Sequence, residues 1–397
     1  MIYYVVPELK LQPTWGGDYI SNKKNLKISD SKIGQAYEFY SESKVIPAHL
    51  LKDTAASKYP YIVIDKDNKK DESALKKYKK DVKKLSKLKM KEIFGQKDIP
   101  NILIKFSQAK GTSFQIHTKE KTKKFLPKPE AWYFFNKGKV TLGLKPKIDI
   151  DEYKKTCKNI YKLTKTISKE VKKKDKSIEE ARKELSQYIE MNNPLEYVNT
   201  VILEKEKIVD NTLGGIHHSW EEDEALIPFG NIIYEVQQDV SDEKSTIRAY
   251  DKGKLLDDGS HRKLQIDDYF ENIKKGRKNN KPKTSIKAKI RLKEVKKWTL
   301  NKIFDTKYFQ MDELLVKKDY DVEKLGFRHI FVRRGSGSLI TEDEEIELQT
   351  GCSYILPHNT QEVRIKNAKK VDPKDRTNKN ALVLLLTYKE FIDLEKK

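Results

Sequence analysis

The segment FQIH places an amide and an imidazole two residues apart, at Gln115 and His117. Because side chains alternate between the two faces of a β-strand, both groups point to the same side if the segment is a strand. Amide oxygens and imidazole nitrogens both bind divalent metal ions. This spacing alone is also typical of polar residues on a strand surface, so a metal site requires further ligands elsewhere.

A second strand-like segment, KPEAWYFF, supplies a carboxylate and an amine. The same alternation places Lys128, Glu130, Trp132 and Phe134 on one face. A glutamate buried beside these aromatic residues needs a charged or hydrogen-bonding partner. The alternative interpretation is a solvent-facing ion pair on an edge strand.

The third segment, LGGIHHSW, contains two glycines followed by two histidines. Gly214 and Gly215 allow the backbone to approach another part of the protein closely. If the segment is extended, His217 and His218 point to opposite sides, so only one of them faces a given site.

Together the three segments offer nitrogen and oxygen ligands suited to a divalent ion such as zinc, with a position left open for water or substrate. The candidate ligands are Gln115, His117, Glu130 and one of His217 and His218.

The three segments with candidate ligands lie in regions whose sequence predicts strands. NILIKFSQAKGTSFQIH predicts two strands around a glycine turn, and TAASKYPYIVIDK contains the β-branched and aromatic residues typical of a strand. Between them, apolar residues at helical spacing predict a lysine-dense helix from Leu75 to Leu85.

The helical period returns from Asp151 to about Ile189. One apolar stripe runs from Tyr153 to Val171, and a second helix begins at Ser177 and Glu180, which have the spacing of a capping box. After residue 201 short β-branched segments return. Residues 272–295 read as a lysine-rich connector, and the alternating strands from residue 326 onwards predict a small sandwich or barrel.

Length and composition set limits on the protein class. With 397 residues, two or three domains are expected, and 82 Lys and Arg against 60 Asp and Glu give a net charge of +22. This charge favours phosphate-bearing ligands, but no known RNA-binding pattern accompanies it, so no specific nucleic acid is expected. Cys157 and Cys352 are too few and too far apart for a disulfide framework or a multi-thiolate zinc site. No apolar run is long enough to cross a bilayer, so we expect a cytoplasmic protein without a membrane segment.

In this order, the segments resemble the type I mannose-6-phosphate isomerases, a zinc-dependent cupin family. The resemblance runs nearly end to end and rests on PTWGGDYI, IGQAYEFY, FQIH, KPEAWYFF, LGGIHHSW, IIYEVQQDVSDEKSTIRAYD, RKLQIDDYFENI and YFQMDEL. It implies a mainly β fold with two cupin-type (jelly-roll) barrels and a helical insert. Residues 1–150 plus 195–256 would form the metal-binding catalytic domain, 151–194 the insert, and 257–397 a linker and a second, metal-free cupin-like domain.

The resemblance also implies a site and an activity. One zinc ion per chain would be held by Gln115, His117, Glu130 and His217. The implied reaction interconverts mannose 6-phosphate and fructose 6-phosphate through a zinc-stabilised enediolate, with a sugar phosphate as the only partner of a monomer.

Three further residues are candidates for catalysis. Glu235 and then Lys128 are the candidates for proton transfer, because a carboxylate close to zinc and lysine is suited to act as a general base. Arg248 either balances charge on the substrate or grips its phosphate, and the sequence favours neither role.

The sequence departs from the family around the pocket. Thr118 and Lys119 follow the ligand histidine where the family has Pro-Asp, Gln35 replaces a glutamate, and residues 220–229 form an acidic insertion. Two alternatives therefore remain: an isomerase for a different sugar phosphate, and a non-catalytic sugar-phosphate-binding or regulatory cupin. A nucleic-acid-binding protein is less favoured, since no basic stretch is interleaved with stacking aromatic residues. His329 and His358 are expected to be structural or surface residues.

Overall fold

Strands dominate the part of the chain that the computed structural model describes. That part is residues 1–389 without 13–14, 25, 27–31, 52–61, 65–87, 96–98, 110, 112, 213, 220–222, 277–279, 323–325, 359, 361 and 372–376. The helix predicted from Leu75 to Leu85 lies outside the described residues. The mainly β fold class is confirmed.

The first thirteen strands are β1 (Tyr3–Val6), β2 (Glu8–Leu11), β3 (Ile33–Phe39), β4 (Lys44–Pro47), β5 (Ile62–Ile64), β6 (Leu88–Lys89), β7 (Leu103–Ala109), β8 (Phe114–Ile116), β9 (Glu130–Phe134), β10 (Gly138–Leu144), β11 (Val198–Leu203), β12 (Lys207–Asp210) and β13 (His217–Ser219). The remaining described strands are β14 (Asn231–Gln237), β15 (Ile247–Tyr250), β16 (Ile286–Ala288), β17 (Ile290–Glu294), β18 (Trp298–Asp305), β19 (Gln310–Val316), β20 (Asp319–Val322), β21 (Phe327–Arg334), β22 (Ser336–Ile340), β23 (Glu345–Gln349), β24 (Ser353–Leu356), β25 (Val363–Asn367) and β26 (Leu382–Lys389).

The helices are mostly short, apart from two in the middle of the chain. In the described residues they are α1 (Tyr19–Lys23), α2 (Met90–Phe94), α3 (Ile150–Lys173), α4 (Ile178–Met191), α5 (Asp242–Ser245), α6 (Ile266–Asn272) and α7 (Pro282–Ser285), with 3₁₀ turns at Ala48–Leu51 and Pro194–Tyr197. None of these helices is long and apolar enough to span a membrane.

The strands form four sheets. An eight-stranded sheet has the order β16-β12-β9-β14-β7-β3-β2-β5, and a five-stranded sheet has the order β11-β10-β13-β8-β15. A nine-stranded sheet has the order β17-β18-β19-β26-β21-β24-β1-β4-β6, and a four-stranded sheet has the order β20-β25-β22-β23.

Apolar clusters show which sheets pack together. Residues such as Leu339 and Leu384 join the four- and nine-stranded sheets, and Phe331 and Tyr133 join the nine- and eight-stranded sheets. A smaller cluster that includes Phe134 joins the eight- and five-stranded sheets. The outer face of the five-stranded sheet packs against α3 and α6. The molecule is therefore a stack of four sheets with helices at one end.

Strand β9 shows how this stacking positions the site. Tyr133 belongs to the cluster facing the nine-stranded sheet, whereas Trp132 and Phe134 belong to the cluster facing the five-stranded sheet. Because side chains alternate along a strand, Glu130 points with Trp132 toward the five-stranded sheet. The carboxylate thus faces β8 and β13, which carry the amide and imidazole candidates.

The predicted helical hairpin is confirmed. The buried residues of α3 include Tyr153, Cys157, Ile160 and Thr164 of the predicted stripe. Helix α4 begins with the predicted capping box, in which the Ser177 hydroxyl accepts from the Glu180 amide and the Glu180 carboxylate accepts from the Ser177 amide.

The expectation that residues 272–295 are only a connector is wrong. They contain α7, β16 and β17; β16 pairs with β12 at the edge of the eight-stranded sheet, and β17 pairs with β18. Residues 286–293, IKAKIRLK, alternate apolar and basic residues as a strand does, but the lysine-rich composition and the exposure of every β17 side chain led to the connector interpretation. Near the other end of the chain, β1 pairs with β24, so the nine-stranded sheet joins both termini of the described chain. The domain boundaries stay a prediction.

Candidate metal and substrate site

The candidate site lies between the eight-stranded and five-stranded sheets. In the five-stranded sheet, Gln115 on β8 lies opposite His217 on β13 and, on its other side, opposite Arg248 on β15. In the eight-stranded sheet, Glu130 on β9 lies opposite Gln237 on β14. Strand pairing alone therefore brings together segments that are more than 100 residues apart in sequence.

The Glu130 carboxylate lies between two imidazoles. Its Oε2 is 3.2 Å from His117 Nε2, and its Oε1 is 3.0 Å from His217 Nε2. All three side chains are buried, and they form a group with ligand atoms within 4.8 Å of one another. The amide nitrogen of Gln115 is 3.1 Å from His217 Nε2, so the side chain of the fourth predicted ligand adjoins this group.

Backbone carbonyls fix the tautomers of both histidines. His117 Nδ1 is 2.9 Å from the Ser245 carbonyl oxygen, and His217 Nδ1 is 2.9 Å from the Gly215 carbonyl oxygen. Because a carbonyl only accepts hydrogen bonds, each Nδ1 carries the proton and donates it. In a neutral ring with this tautomer, Nε2 carries the lone pair and faces Glu130. Histidine ligands of metal ions are commonly oriented in this way.

Acceptor atoms of Glu130 and His117 face each other in this cluster, 3.2 Å apart. Among the described residues, neither carboxylate oxygen of Glu130 has a hydrogen-bond donor, and His117 Nε2 also lacks one. Burial lowers the pKa of His117 to about 4, which keeps the ring neutral. Burial opposes ionisation of Glu130 as well, but the positive charge of Lys128 holds its pKa well below the usual range. The neutral imidazole of His117, the Nε2 atom of His217 and one buried carboxylate fit a divalent cation.

Lys128 joins this cluster to a second carboxylate. Its ammonium lies 3.4 Å from Glu130 Oε2 and 3.0 Å from Asp242 Oδ1. Asp242 Oδ2 also accepts a hydrogen bond from the Arg248 guanidinium at 3.1 Å. The Asp242 side chain is 52% exposed at the cavity wall; partial desolvation there raises its pKa, but Lys128, Lys105 and Arg248 outweigh this and hold that pKa well below the usual range.

These groups border a cavity of about 380 Å³, a size that suits a small polar metabolite. Gln115 and Lys128 line it, so the buried cluster reaches the cavity through them. The rest of its lining is rich in charged and polar groups, among them Gln35, Lys105, Ser113, Glu235, Asp242, Arg248, Asp251, Lys254, Ser260, His261 and Arg262.

Glu235 lies on β14 in the wall of the cavity, opposite Lys105 on β7. The Lys105 ammonium is 3.3 Å from Glu235 Oε1 and donates to Gln237 Oε1 at 2.7 Å. Burial raises the pKa of Glu235, and the nearby charge of Glu130 adds to this effect, while Lys105 opposes it. The ionised form of this carboxyl group is thus less favoured than that of an exposed glutamate.

Arg248 is oriented by two partners. Its Nε donates to Ser113 Oγ at 3.0 Å, in addition to the ion pair with Asp242. Burial lowers the pKa of Arg248, and the charge of Arg262 contributes to that shift. Two guanidinium groups therefore lie near each other in the cavity wall, where an anion would relieve their repulsion.

The two adjacent histidines of LGGIHHSW lie on opposite sides of β13. His217 faces Glu130, whereas the His218 ring packs edge-on against Phe114, with ring centroids 4.7 Å apart. Gly214 lies against the backbone next to the site, since a Cβ added to it would be 2.4 Å from the His117 carbonyl oxygen. The glycine pair thus allows β13 to approach the chain at His117.

The structure places all seven predicted site residues in one region. The sequence analysis missed two further residues of that region, Asp242 and Lys105. A signal for Lys105 is present, because it is a lone cation inside the apolar run NILIKF, where a buried charge requires a partner. Asp242 lies among other acids in VSDEKS, so neither spacing nor composition distinguishes it.

Solved structures share the arrangement of the whole chain. No protein-family model and no curated protein matches this sequence. The mannose 6-phosphate isomerase from Bacillus subtilis is similar with a TM-score of 0.61 and 16% identity, over 98% of this chain and 99% of that one. The mannose 6-phosphate isomerase from Salmonella typhimurium, bound to its substrate and to zinc, has a TM-score of 0.54 and 9% identity, over 98% of this chain and 99% of that one.

The stacked sheets and the buried cluster define a mainly β protein with a candidate metal site beside a basic cavity. Its fold is that of the mannose-6-phosphate isomerases, as the resemblance implied.

Proposed function

We propose that the protein is a zinc-dependent aldose-ketose isomerase that interconverts mannose 6-phosphate and fructose 6-phosphate. The observation that carries this proposal is the buried cluster of His117, Glu130 and His217, whose lone pairs converge beside a cavity lined with lysine and arginine. The similar solved structures support it, because they include an isomerase bound to its substrate and to zinc.

In this proposal His117, His217, Glu130 and Gln115 hold one zinc ion. Zinc would supply Lewis-acid chemistry, polarising the carbonyl group of the sugar and stabilising negative charge on its oxygen. The chain's contribution is to fix the histidine tautomers through the Ser245 and Gly215 carbonyls. The neutral imidazole of His117 and the ionised carboxylate of Glu130 can bind a metal ion without first losing a proton.

Proton transfer between C1 and C2 requires a group that both accepts and releases a proton near neutral pH. Glu235 fits this role better than Asp242, because burial raises the pKa of Glu235. Asp242, in contrast, is held ionised by Lys128, Lys105 and Arg248. We therefore assign proton transfer to Glu235 and the orientation of Lys128 and Arg248 to Asp242.

The phosphate would lie at the side of the cavity formed by Arg248, Lys254 and Arg262. Arg248 keeps the donors that Asp242 and Ser113 do not use, and a guanidinium group is suited to bidentate contact with a phosphate. Arg262 lies 3.6 Å from Asp251, a weak pairing that leaves it available to an anion. Of the two roles open to Arg248, this arrangement favours the grip on the phosphate.

A coupled isomerase assay on protein of known metal content tests the proposal. The chain should interconvert mannose 6-phosphate and fructose 6-phosphate, lose this activity on chelation and regain it with zinc. His117→Ala should abolish activity, whereas the exposed His358→Ala should retain it. Binding of the sugar phosphate without turnover would favour a regulatory cupin, and faster turnover of another hexose or pentose phosphate would replace the substrate.

A further inference from the structure

One wall of the cavity comes from the segment between β15 and α6, residues 251–265. It contributes Asp251, Lys254, Leu256, Ser260, His261 and Arg262 to the lining. The segment contains no strand or helix, so its conformation depends on the elements against which it packs.

The helical hairpin of α3 and α4 provides that packing. Leu255 lies in an apolar cluster with Ile167, Ala181 and Leu185 of the hairpin. From α4, the Arg182 guanidinium donates to the Leu255 carbonyl at 2.9 Å and to Asp257 at 2.8 Å. Apolar contacts and hydrogen bonds thus hold residues 251–265 against the hairpin.

Ser168 of α3 connects the hairpin to a side chain of the cavity wall. Its hydroxyl donates to the Gly259 carbonyl at 2.6 Å, and its Oγ lies 3.1 Å from His261 Nδ1. Because the single hydroxyl proton is given to the carbonyl, Ser168 accepts at His261, and Nδ1 carries the imidazole proton. The His261 ring also packs edge-on against Tyr161, with centroids 5.8 Å apart.

We propose that Ser168 is a positioning residue for substrate specificity, which orients His261 so that its unprotonated Nε2 accepts a hydrogen bond from a sugar hydroxyl. The inference rests on the proposed function, since it requires a sugar phosphate in the cavity. It extends that function to the helical hairpin, whose residues do not themselves line the cavity.

The surroundings of His261 agree with this role. Burial and the charges of Lys172 and Lys165 lower its pKa, so the ring is neutral at pH 7. A neutral ring with its proton on Nδ1 offers one acceptor, at Nε2, in a wall otherwise rich in cationic donors. Such an acceptor discriminates between sugars by the presence of a hydroxyl that donates to it.

Steady-state kinetics with mannose 6-phosphate test the proposal. Ser168→Ala leaves the apolar contacts of the wall in place but frees the His261 ring. We expect KM to rise roughly three- to tenfold, the usual effect of one neutral hydrogen bond, with little change in kcat. In a His261→Ala background, Ser168→Ala removes only the hydrogen bond to the Gly259 carbonyl, so the further rise in KM should be much smaller than in the wild-type background.

Thr164→Val provides the matched control. Thr164 is also buried on α3, but its hydroxyl donates only to the Ile160 carbonyl of the same helix. A general weakening of the hairpin would raise KM in Thr164→Val as well, and would overturn the assignment to Ser168. Wild-type KM in Ser168→Ala, or independent effects of the two substitutions, would overturn it too.

Nitrogen-15 NMR of the histidine rings gives a readout that does not depend on activity. The His261 signals, identified by their loss in His261→Ala, should show the Nδ1–H tautomer in the wild type and a mixture in Ser168→Ala. An Nε2–H tautomer in the wild type would overturn the inference even in an active isomerase. Absence of activity toward every sugar phosphate would overturn the proposed function, and the inference with it.

Discussion

The Lys128 ammonium lies 3.0 Å from the Asp242 carboxylate, in an ion pair at the wall of the cavity. The same carboxylate holds Arg248 at 3.1 Å, and Lys128 is also 3.4 Å from Glu130. One aspartate therefore orients two cations, one beside the candidate metal ligands and one toward the basic side of the cavity. Charge at Asp242 should matter for substrate binding and turnover without being required for the metal.

Asp242→Asn tests this arrangement. The substitution keeps the shape of the side chain but removes the charge that Lys128 and Arg248 share. We expect kcat/KM for mannose 6-phosphate to fall about 10- to 100-fold, the range for lost charge-assisted contacts, with metal content unchanged. Steady-state kinetics and elemental analysis of the same preparation measure both quantities.

Asp251→Asn is the control for Asp242→Asn. Asp251 also lines the cavity and pairs with Arg262 at 3.6 Å, but no ion pair in the described structure joins it to Lys128. Its substitution should change kcat/KM by less than about fivefold, as expected for a weak pair. Equal losses in the two variants would mean that only the total negative charge of the cavity matters.

The two adjacent histidines of β13 should differ in their effect on metal binding. His217→Ala removes a predicted ligand and should lower the metal content of purified protein to background. His218→Ala removes a ring that packs against Phe114, so it should reduce stability while metal content stays at one ion per chain. Elemental analysis of the folded fraction distinguishes them, and equal metal loss in both would show that the ligand has been misassigned.

The paired glycines of the same segment allow a second comparison. Both have positive φ angles, +67° at Gly214 and +123° at Gly215, so alanine introduces backbone strain at either position. Only at Gly214 would the new Cβ also meet the His117 carbonyl oxygen, at 2.4 Å, whereas at Gly215 no atom lies within 4 Å. Gly214→Ala should therefore weaken zinc affinity in a calorimetric titration, and Gly215→Ala should lower stability with near-normal affinity.

Much of the site could be predicted because it is built from short motifs on strands. The alternation of side chains places Gln115 and His117 together and separates His217 from His218, whatever the rest of the fold. The sequence could not show that His117 and His217 receive their tautomers from the Ser245 and Gly215 carbonyls, because those contacts depend on tertiary structure.

The fold shows the same division between local and long-range features. The hairpin of α3 and α4 follows from helical periodicity and the Ser177 capping box, both local properties. The pairing of β1 with β24 joins residues about 350 positions apart, and no local pattern indicates it. Strands β16 and β17 were missed although residues 286–293 alternate apolar and basic residues, because a lysine-rich, largely exposed segment also fits a solvated connector.

The buried His329 makes stability depend on pH at a distance from the metal site. It lies on β21 with no exposed surface, and burial lowers its pKa to about 3, against about 6.5 in an unfolded chain. Between these values the unfolded chain binds more protons than the folded protein, so stability falls as the pH drops from 6.5. The free energy of unfolding changes by at most about 1.4 kcal/mol per pH unit for one such group. The neutral, buried His329 should therefore lower the free energy of unfolding by about 2 kcal/mol between pH 6.5 and 5.

His329→Phe should remove that contribution, because phenylalanine fills a similar volume next to Phe39 and does not titrate. Urea unfolding of metal-free protein at pH 6.5 and 5 should then show a loss of stability smaller by about 2 kcal/mol than in the wild type. His358→Gln, at an exposed position, should keep the wild-type pH dependence. If the His329→Phe variant loses as much stability as the wild type over this range, the His329 imidazole of the wild type takes up its proton in the folded protein as well. Lys24 and the apolar core around His329 would then not hold that imidazole neutral.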